Sequence, residues 1–542
     1  MTIDMKIVHT LSFHTLRFCL LVSFVIQSCD DHRIPTDPSN LPGLPTSVFY
    51  ALADNNTVYE MDMREPTKMG NPVGITTLEP DEKLIAIDFR PATGQLFALS
   101  DRNVFYTVYI DLNRPSRPSV PLNPQSAVKA PAVVPIYGFD FNPVTDQMRV
   151  VSNSGENLLL DPRTGLVDPK TGKASGGATP YVGGIAYSNN YSGATNTTLY
   201  GIDTKDDKLV RYENADASAV QAVGDLGADI DEVGGFDISP KSYRSQGREY
   251  GIASIRRGNA WELDYVDLAT GKLHKLGDLP TGKKILGIAF PTPVAYGLTS
   301  DHKLLAFNPV TFTFTKGYIH EKPITGLPQG VSLLGLDFSV EVAPKLVALG
   351  SNSTTYEINT VTGTATELYK MKNYSLDLTG NPAFGLDFEP YSNKLYVVSS
   401  DRKNYYAINL SLQGSTALVP AFTLNGNPQG LDAIAFSSNY QNMANADNTE
   451  LFGIDSETGT LYKKSQLTSA LTKLGVFAGK MDKMNGFDIG GYIESGYGLM
   501  TVDGASRFFI VSTGNGASVS VPFPYANVSG FTLGQNLYNM VP

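Results

Sequence analysis

Cysteine is almost absent: the 542-residue chain has 2, Cys19 and Cys29, both near the N-terminus. No thiol follows position 29, which removes disulfides, thiolate metal centres and cysteine nucleophiles from the folded part of the molecule. Histidine is nearly as scarce. Of the 6, His9, His14 and His32 lie in the N-terminal segment, and His274, His302 and His320 have no spacing that would put two on one metal or one beside a serine and an acid. The single Trp261 sits in a strand-like run and reads as core. Only 18% of residues are charged and the net charge is −11, so the basic footprint of a nucleic-acid partner is missing. Helical periodicity is also lacking. The Gly176 to Gly184 run has neither the lysine nor the helix of a phosphate loop and reads as an inter-strand loop.

The longest N-terminal apolar run, Phe18 to Ile26, is too short to cross a bilayer. Preceded by Lys6 and Arg17 and followed by Ile26-Gln27-Ser28-Cys29, it has the layout of a secretory signal. The last four residues resemble the lipobox of bacterial lipoproteins, which implies cleavage before Cys29 and lipidation of its thiol. Residues 1–28 are therefore expected to be the signal peptide. Residues 29–46, with four prolines between Pro35 and Pro45, read as an extended tether. The Asp30-Asp31 pair after the cysteine resembles the export signals of surface lipoproteins. A bacterial outer-membrane lipoprotein is expected, periplasmic or surface-exposed, touching the membrane only through its lipid.

What the chain has in abundance is 51 Gly, 33 Pro and 28 Tyr, distributed in a repeat. Ten times, about fifty residues apart, a short strand runs Gly or Ala, apolar, Asp or Ala, then an apolar and usually aromatic residue. Its third position falls at Asp88, Asp140, Ala186, Asp237, Ala289, Asp337, Asp387, Ala435, Asp488 and Thr532. The order Asp, Asp, Ala, Asp recurs after about 250 residues, so a five-unit block is written twice. Each unit opens with two strands joined by a tight turn, as in Pro91-Ala92-Thr93-Gly94 or Pro143-Val144-Thr145-Asp146, where proline and a left-handed-tolerant residue set the hairpin. Four short strands per unit are the size of a propeller blade.

The first block starts at Val48 without the Gly-apolar strand and ends with one at Leu286 to Phe290; the second does the same with Ser529 to Thr532. A late strand that completes the first blade closes a ring. The fold expected is all-β: two tandem five-bladed β-propellers over 47–292 and 293–535, with one ten-bladed ring as the alternative.

The string Ala86 to Leu99, followed by Gly138-Phe139-Asp140-Phe141-Asn142-Pro143 and Arg149-Val150-Val151-Ser152, resembles the bacterial family known as domain of unknown function 4394. The likeness spans 47 to about 290 and, more loosely, 294 to 535, where Phe338-Ser339-Val340 has lost the Arg-Pro of the turn. It implies exported β-propellers and no particular activity.

Two sets of residues are candidates for a site. Asp88, Asp140 and Asp237, with Asp337, Asp387 and Asp488, either accept backbone N–H bonds from neighbouring strands or line each ring's channel and hold a cation. The fourth unit of each block also carries a polar insertion, with Asn189, Asn190 and Tyr191 in one and Asn439 and Tyr440 in the other; Asn153, Ser154 and Glu156 form a similar loop. Amides and flat rings on loops suit glycan or peptide contact. With no catalytic constellation and no cofactor motif beyond a structural cation, an envelope binding module is expected, with a glycan or an envelope protein as partner. The alternatives are a hydrolase or lyase with a metal at the channel, and a passive spacer.

Overall fold

The computed structural model describes residues 47–535 apart from 76–77, 111–119, 122–136, 153–155, 169–180, 214–218, 242–246, 312, 342, 413, 440–448, 466–467, 478–480 and 491–494. Cys29, the signal and the tether therefore lie outside the described residues. The described chain is antiparallel β-sheet, with three single-turn 3-10 helices and no α-helix among the described residues.

Five sheets come from the first half of the chain. The first joins Val48–Ala53, Thr57–Asp62 and Pro72–Gly74 to the late strand Ile285–Ala289; the others begin at Leu84–Phe89, Tyr137–Asn142, Val182–Tyr187 and Glu232–Ile238. The second half repeats this arrangement. Ala295–Thr299, Lys303–Phe307 and Ile319–Pro323 form one sheet with Val528–Leu533, four further four-stranded sheets begin at Leu333–Phe338, Phe384–Glu389, Ala433–Phe436 and Lys483–Asp488, and a small hairpin pairs Thr423–Leu424 with Asn427–Pro428. In the first closure Tyr50 lies opposite Ala289, and in the second Tyr296 lies opposite Thr532. Each half closes on itself with its own last strand, so the molecule is two five-bladed propellers and not one ring of ten. The blade that begins at Tyr137 has three strands among the described residues; the rest have four.

Burial falls off from the axis outward. The inner strand Val182–Tyr187 is buried along its whole length, whereas the outermost strand of that blade, Val220–Asp225, has no fully buried residue. Inner strands are covered on both faces by neighbouring blades, which is why their apolar residues do not alternate with polar ones. Tyr50 and Leu52 of the first blade pack with Ile87, Phe89 and Leu96 of the second, and Tyr296 and Leu298 pack with Leu336 and Phe338 in the other ring. Each such side chain contributes about 1.5–3 kcal/mol when fully buried. The glycine of the repeat is set by the closeness of the strands: a Cβ on Gly235 would lie 2.5 Å from the Ile288 nitrogen of the closing strand. Outer edges expose charges such as Lys275, Glu367 and Lys473, which discourage pairing with another chain.

Candidate functional site

The third position of the repeat lies on the innermost strand of its blade, and its carboxylate reaches sideways to the next blade. Asp88 Oδ1 accepts the N–H of Phe89 at 2.7 Å and Oδ2 that of Phe141 on the following blade at 2.8 Å. Asp140 Oδ2 accepts Tyr187 N–H at 3.2 Å. Asp237 accepts Ile238 N–H at 2.6 Å and Phe290 N–H, at the end of the closing strand, also at 2.6 Å. The second ring repeats these ties, with Asp337 Oδ2 on Phe388 N–H at 2.7 Å, Asp387 Oδ2 on Phe436 N–H, and Asp488 on Ile489 and Leu533 N–H at 2.6 and 2.7 Å. The aspartates thus tie three of the five blade junctions in each ring, the remaining inner strands carrying Ala186 and Ala289 in the first and Ala435 and Thr532 in the second.

They also converge. In each ring a carboxylate oxygen from each of the three aspartates lies within 4.8 Å of the others, and all six residues are buried. The second triad has an added hydroxyl: Thr532 Oγ1 is 2.7 Å from Asp337 Oδ1 and 3.0 Å from Asp488 Oδ2, at the position that is Ala289 in the first ring. Burial is the main force raising the pKa of all six carboxyls. It brings Asp237 and Asp488 to about 7, and like charge from neighbouring aspartates helps push Asp88, Asp140 and Asp387 well above the ordinary carboxylate range. Three dry carboxylates this close cannot all stay ionised without a positive charge or a proton among them. Asp140 Oδ1 and Asp387 Oδ1, equivalent atoms of the two rings, have no hydrogen-bond partner.

The insertion after the fourth inner strand of the first ring, residues 188–196, is placed differently from the expected open platform. Asn189, left-handed at φ 54°, donates through Nδ2 to Asn196 Oδ1 at 2.8 Å and accepts Lys241 Nζ at 2.5 Å. Asn190 is completely buried. The Asn189 amide holds the loop in shape through Asn196, whereas Asn190 reaches only Ile238 O, at 3.5 Å through Nδ2, and its buried Oδ1 has no partner. Its counterpart Asn439 is buried as well; Tyr440 and Asn153 lie outside the described residues. Glu156 shapes its own turn, its N–H donating to Ser152 Oγ at 3.2 Å.

Tyr191 reaches the second ring instead, where it stacks on His320 with ring centroids 4.6 Å apart and planes 17° from parallel. Ser192 Oγ lies 2.6 Å from the Tyr296 hydroxyl, which donates to Ala92 O at 2.8 Å, and Gln535 N–H donates to Thr93 O at 2.8 Å. The Pro91 to Gly94 turn is consequently buried between the rings. Nothing along the sequence marks His320, on a plain strand of the other ring, as a neighbour of Tyr191.

Between the rings lies a cleft of about 100 Å³ whose lining includes Tyr191, Ser192, Lys241, Thr292, Phe314 and His320. Burial lowers the His320 pKa, which favours its neutral form. Thr292, one of the residues lining this cleft, is buried, and its hydroxyl has no partner. A second inter-ring space of about 210 Å³ is flanked by charges that are already paired, Arg90 with Asp146 at 2.5 Å and Arg163 with Glu357 at 3.0 Å.

The sequence pattern of the family described as a domain of unknown function (DUF4394) matches residues 57–289 and again 296–529. The chain belongs to this family. Each match falls within one propeller, so one DUF4394 copy corresponds to one ring. No curated protein matches the chain. Among solved structures, it is similar to a catalytically inactive virginiamycin B lyase from Staphylococcus aureus with quinupristin, at 11% identity and a TM-score of 0.22, over 67% of this chain and 91% of that one. A protein of unknown function from Bacteroides caccae shows 10% identity and a TM-score of 0.26, over 51% and 90% respectively. Neither likeness bears on the role of the two DUF4394 rings, whose architecture rests on their strand pairing.

Proposed function

We propose that this tandem DUF4394 protein is a lipid-anchored binding module of the bacterial envelope that takes the end of a hydroxyl-rich ligand, a glycan or a segment of an envelope protein, into the cleft between its rings. The observation that carries this reading is the unpaired Thr292 hydroxyl beside the Tyr191–His320 stack. A flat ring pair with a spare hydroxyl close by is chemistry that suits a sugar ring or a polar side chain. At about 30 Å³ per water, the space equals roughly three waters, enough for a terminal group and not for a whole oligomer. The lipobox-like Ile26-Gln27-Ser28-Cys29 and the proline-rich tether support the anchor.

An enzyme acting at the ring axis is less well supported, because Asp88, Asp140, Asp237, Asp387 and Asp488 are each 1% exposed and Asp337 2%, and a substrate has no open face to approach. The test is a glycan array and an envelope-protein pulldown with the lipid-free mature chain, repeated with Tyr191→Ala and Thr292→Val. Binding that both substitutions weaken supports the cleft; binding that neither changes places the ligand elsewhere, and absence of any binding favours a passive spacer. Cys29→Ser should move the protein from the membrane to the soluble fraction without unfolding it, and a variant that still pellets with membranes would overturn the anchor.

A further inference from the structure

We propose that each ring closes around one hard, oxygen-coordinated cation of the calcium class, held by Asp88, Asp140 and Asp237 in the first ring and by Asp337, Asp387 and Asp488 with Thr532 in the second. The donor set contains only oxygen, which selects calcium-like ions over zinc or copper. Calcium–oxygen bonds of about 2.3–2.6 Å allow two ligand oxygens to stand up to about 5 Å apart across the ion, and within each triad the oxygens lie within 4.8 Å of one another.

The second observation is the unspent acceptor. Asp140 and Asp387 are each 1% exposed, and their Oδ2 atoms are taken by the N–H of Tyr187 and Phe436 on the next blade. Oδ1 finds no N–H or hydroxyl donor in either ring, and what the carboxyl meets inside the cluster is another acid, Asp88 for Asp140 and Asp337 for Asp387. A buried acceptor without a partner costs about 1–3 kcal/mol, and here the same atom is left over twice, at positions some 250 residues apart. A bound cation satisfies Oδ1 and neutralises most of the negative charge gathered at the axis. Because the ligands come from the second, third and fifth blades of each ring, the ion ties non-adjacent blades together. It is a structural ion, in a place no substrate reaches.

A proton shared between two carboxyls is the competing occupant, and an asparagine separates the two. Asp140→Asn and Asp387→Asn keep an oxygen for the neighbouring N–H and supply an amide donor where a protonated acid would have one, while removing an anionic ligand. The lipid-free mature chain carrying Cys29→Ser is analysed for metal content as purified, then stripped with chelator and titrated with CaCl₂, MgCl₂ or NaCl while its melting temperature is followed. The expected result is about two equivalents of calcium-class ion per chain and a rise in melting temperature on calcium addition. One equivalent should remain in either Asn variant and none in the double variant. No bound ion together with no cation-dependent shift would overturn the proposal, as would Asn variants that bind as much calcium as the parent or melt higher than it at saturating calcium. If the Asn variants do not fold, the metal content and calcium response of the parent decide by themselves.

Discussion

Replacing Asp237 by alanine strips the acceptors from two buried N–H groups, those of Ile238 and of Phe290 at the end of the closing strand. Each buried donor left unpaired costs about 1–3 kcal/mol, so the gross loss is about 2–6 kcal/mol. In chelator part of this is returned, because the Asp237 charge disfavours ionisation of both Asp88 and Asp140. We expect a net destabilisation of about 2–4 kcal/mol, which for a domain of this size lowers the melting temperature by roughly 5–15 °C. Differential scanning calorimetry on the full chain reads it. The transition of the first ring should fall while that of the second stays, and Asp488→Ala, which frees Ile489 and Leu533, should do the reverse. If Asp237→Ala leaves both transitions unmoved, the aspartates are not the ties that hold blade to blade.

Three further outcomes follow from the same contacts. In chelator, stability should fall as pH rises from about 4 towards 7: Asp237 and Asp488 bind their protons more tightly folded (pKa about 7) than at the ordinary 3.8, so the contribution is whole below 3.8 and lost through 7, as denaturant titrations at a series of pH values would show. Gly235→Ala should cost several kcal/mol or block folding of the first ring, because its Cβ would sit 2.5 Å from the Ile288 nitrogen, and expression with circular dichroism checks it. Tyr296→Phe removes the bonds to Ser192 and Ala92, about 0.5–1.5 kcal/mol each, and should speed proteolysis between the rings while the β-sheet signal is kept.

The fold was legible because its signals are periodic. The Gly-apolar-Asp strand recurs wherever an inner strand runs, and the displaced strands at Leu286 and Ser529 announce both closures. The backbone tie of the six aspartates was also within reach, since they recur at one position of the inner strand on three of five blades in each ring; the sequence left open whether that position served the tie or a channel cation. What could not be read was anything depending on how one ring meets the other. Asn189 and Asn190 looked like contact residues because polar insertions are usually exposed, yet they fold back onto their own ring, Asn189 against Asn196, Lys241 and Glu249 and Asn190 against Ile238. The Arg90 to Gly94 turn looked like an ordinary hairpin and lies buried at that junction, next to the Arg90–Asp146 pair. His320 and Thr292 carry no local pattern, since what places them at one cleft is the approach of Tyr191 and other residues far away in the sequence.

The claim on which the account most depends is that each half is a closed ring, and the fragment of residues 47–292 tests it directly. It retains Ile285–Ala289, the partner of Val48–Ala53, and so has every strand its five blades need. By circular dichroism, size exclusion and thermal melting it should be a monomeric, β-rich species with one cooperative transition, while a fragment ending at residue 283, without the closing strand, should aggregate. An insoluble or non-cooperative 47–292 fragment, or a 47–283 fragment that folds equally well, would contradict the account.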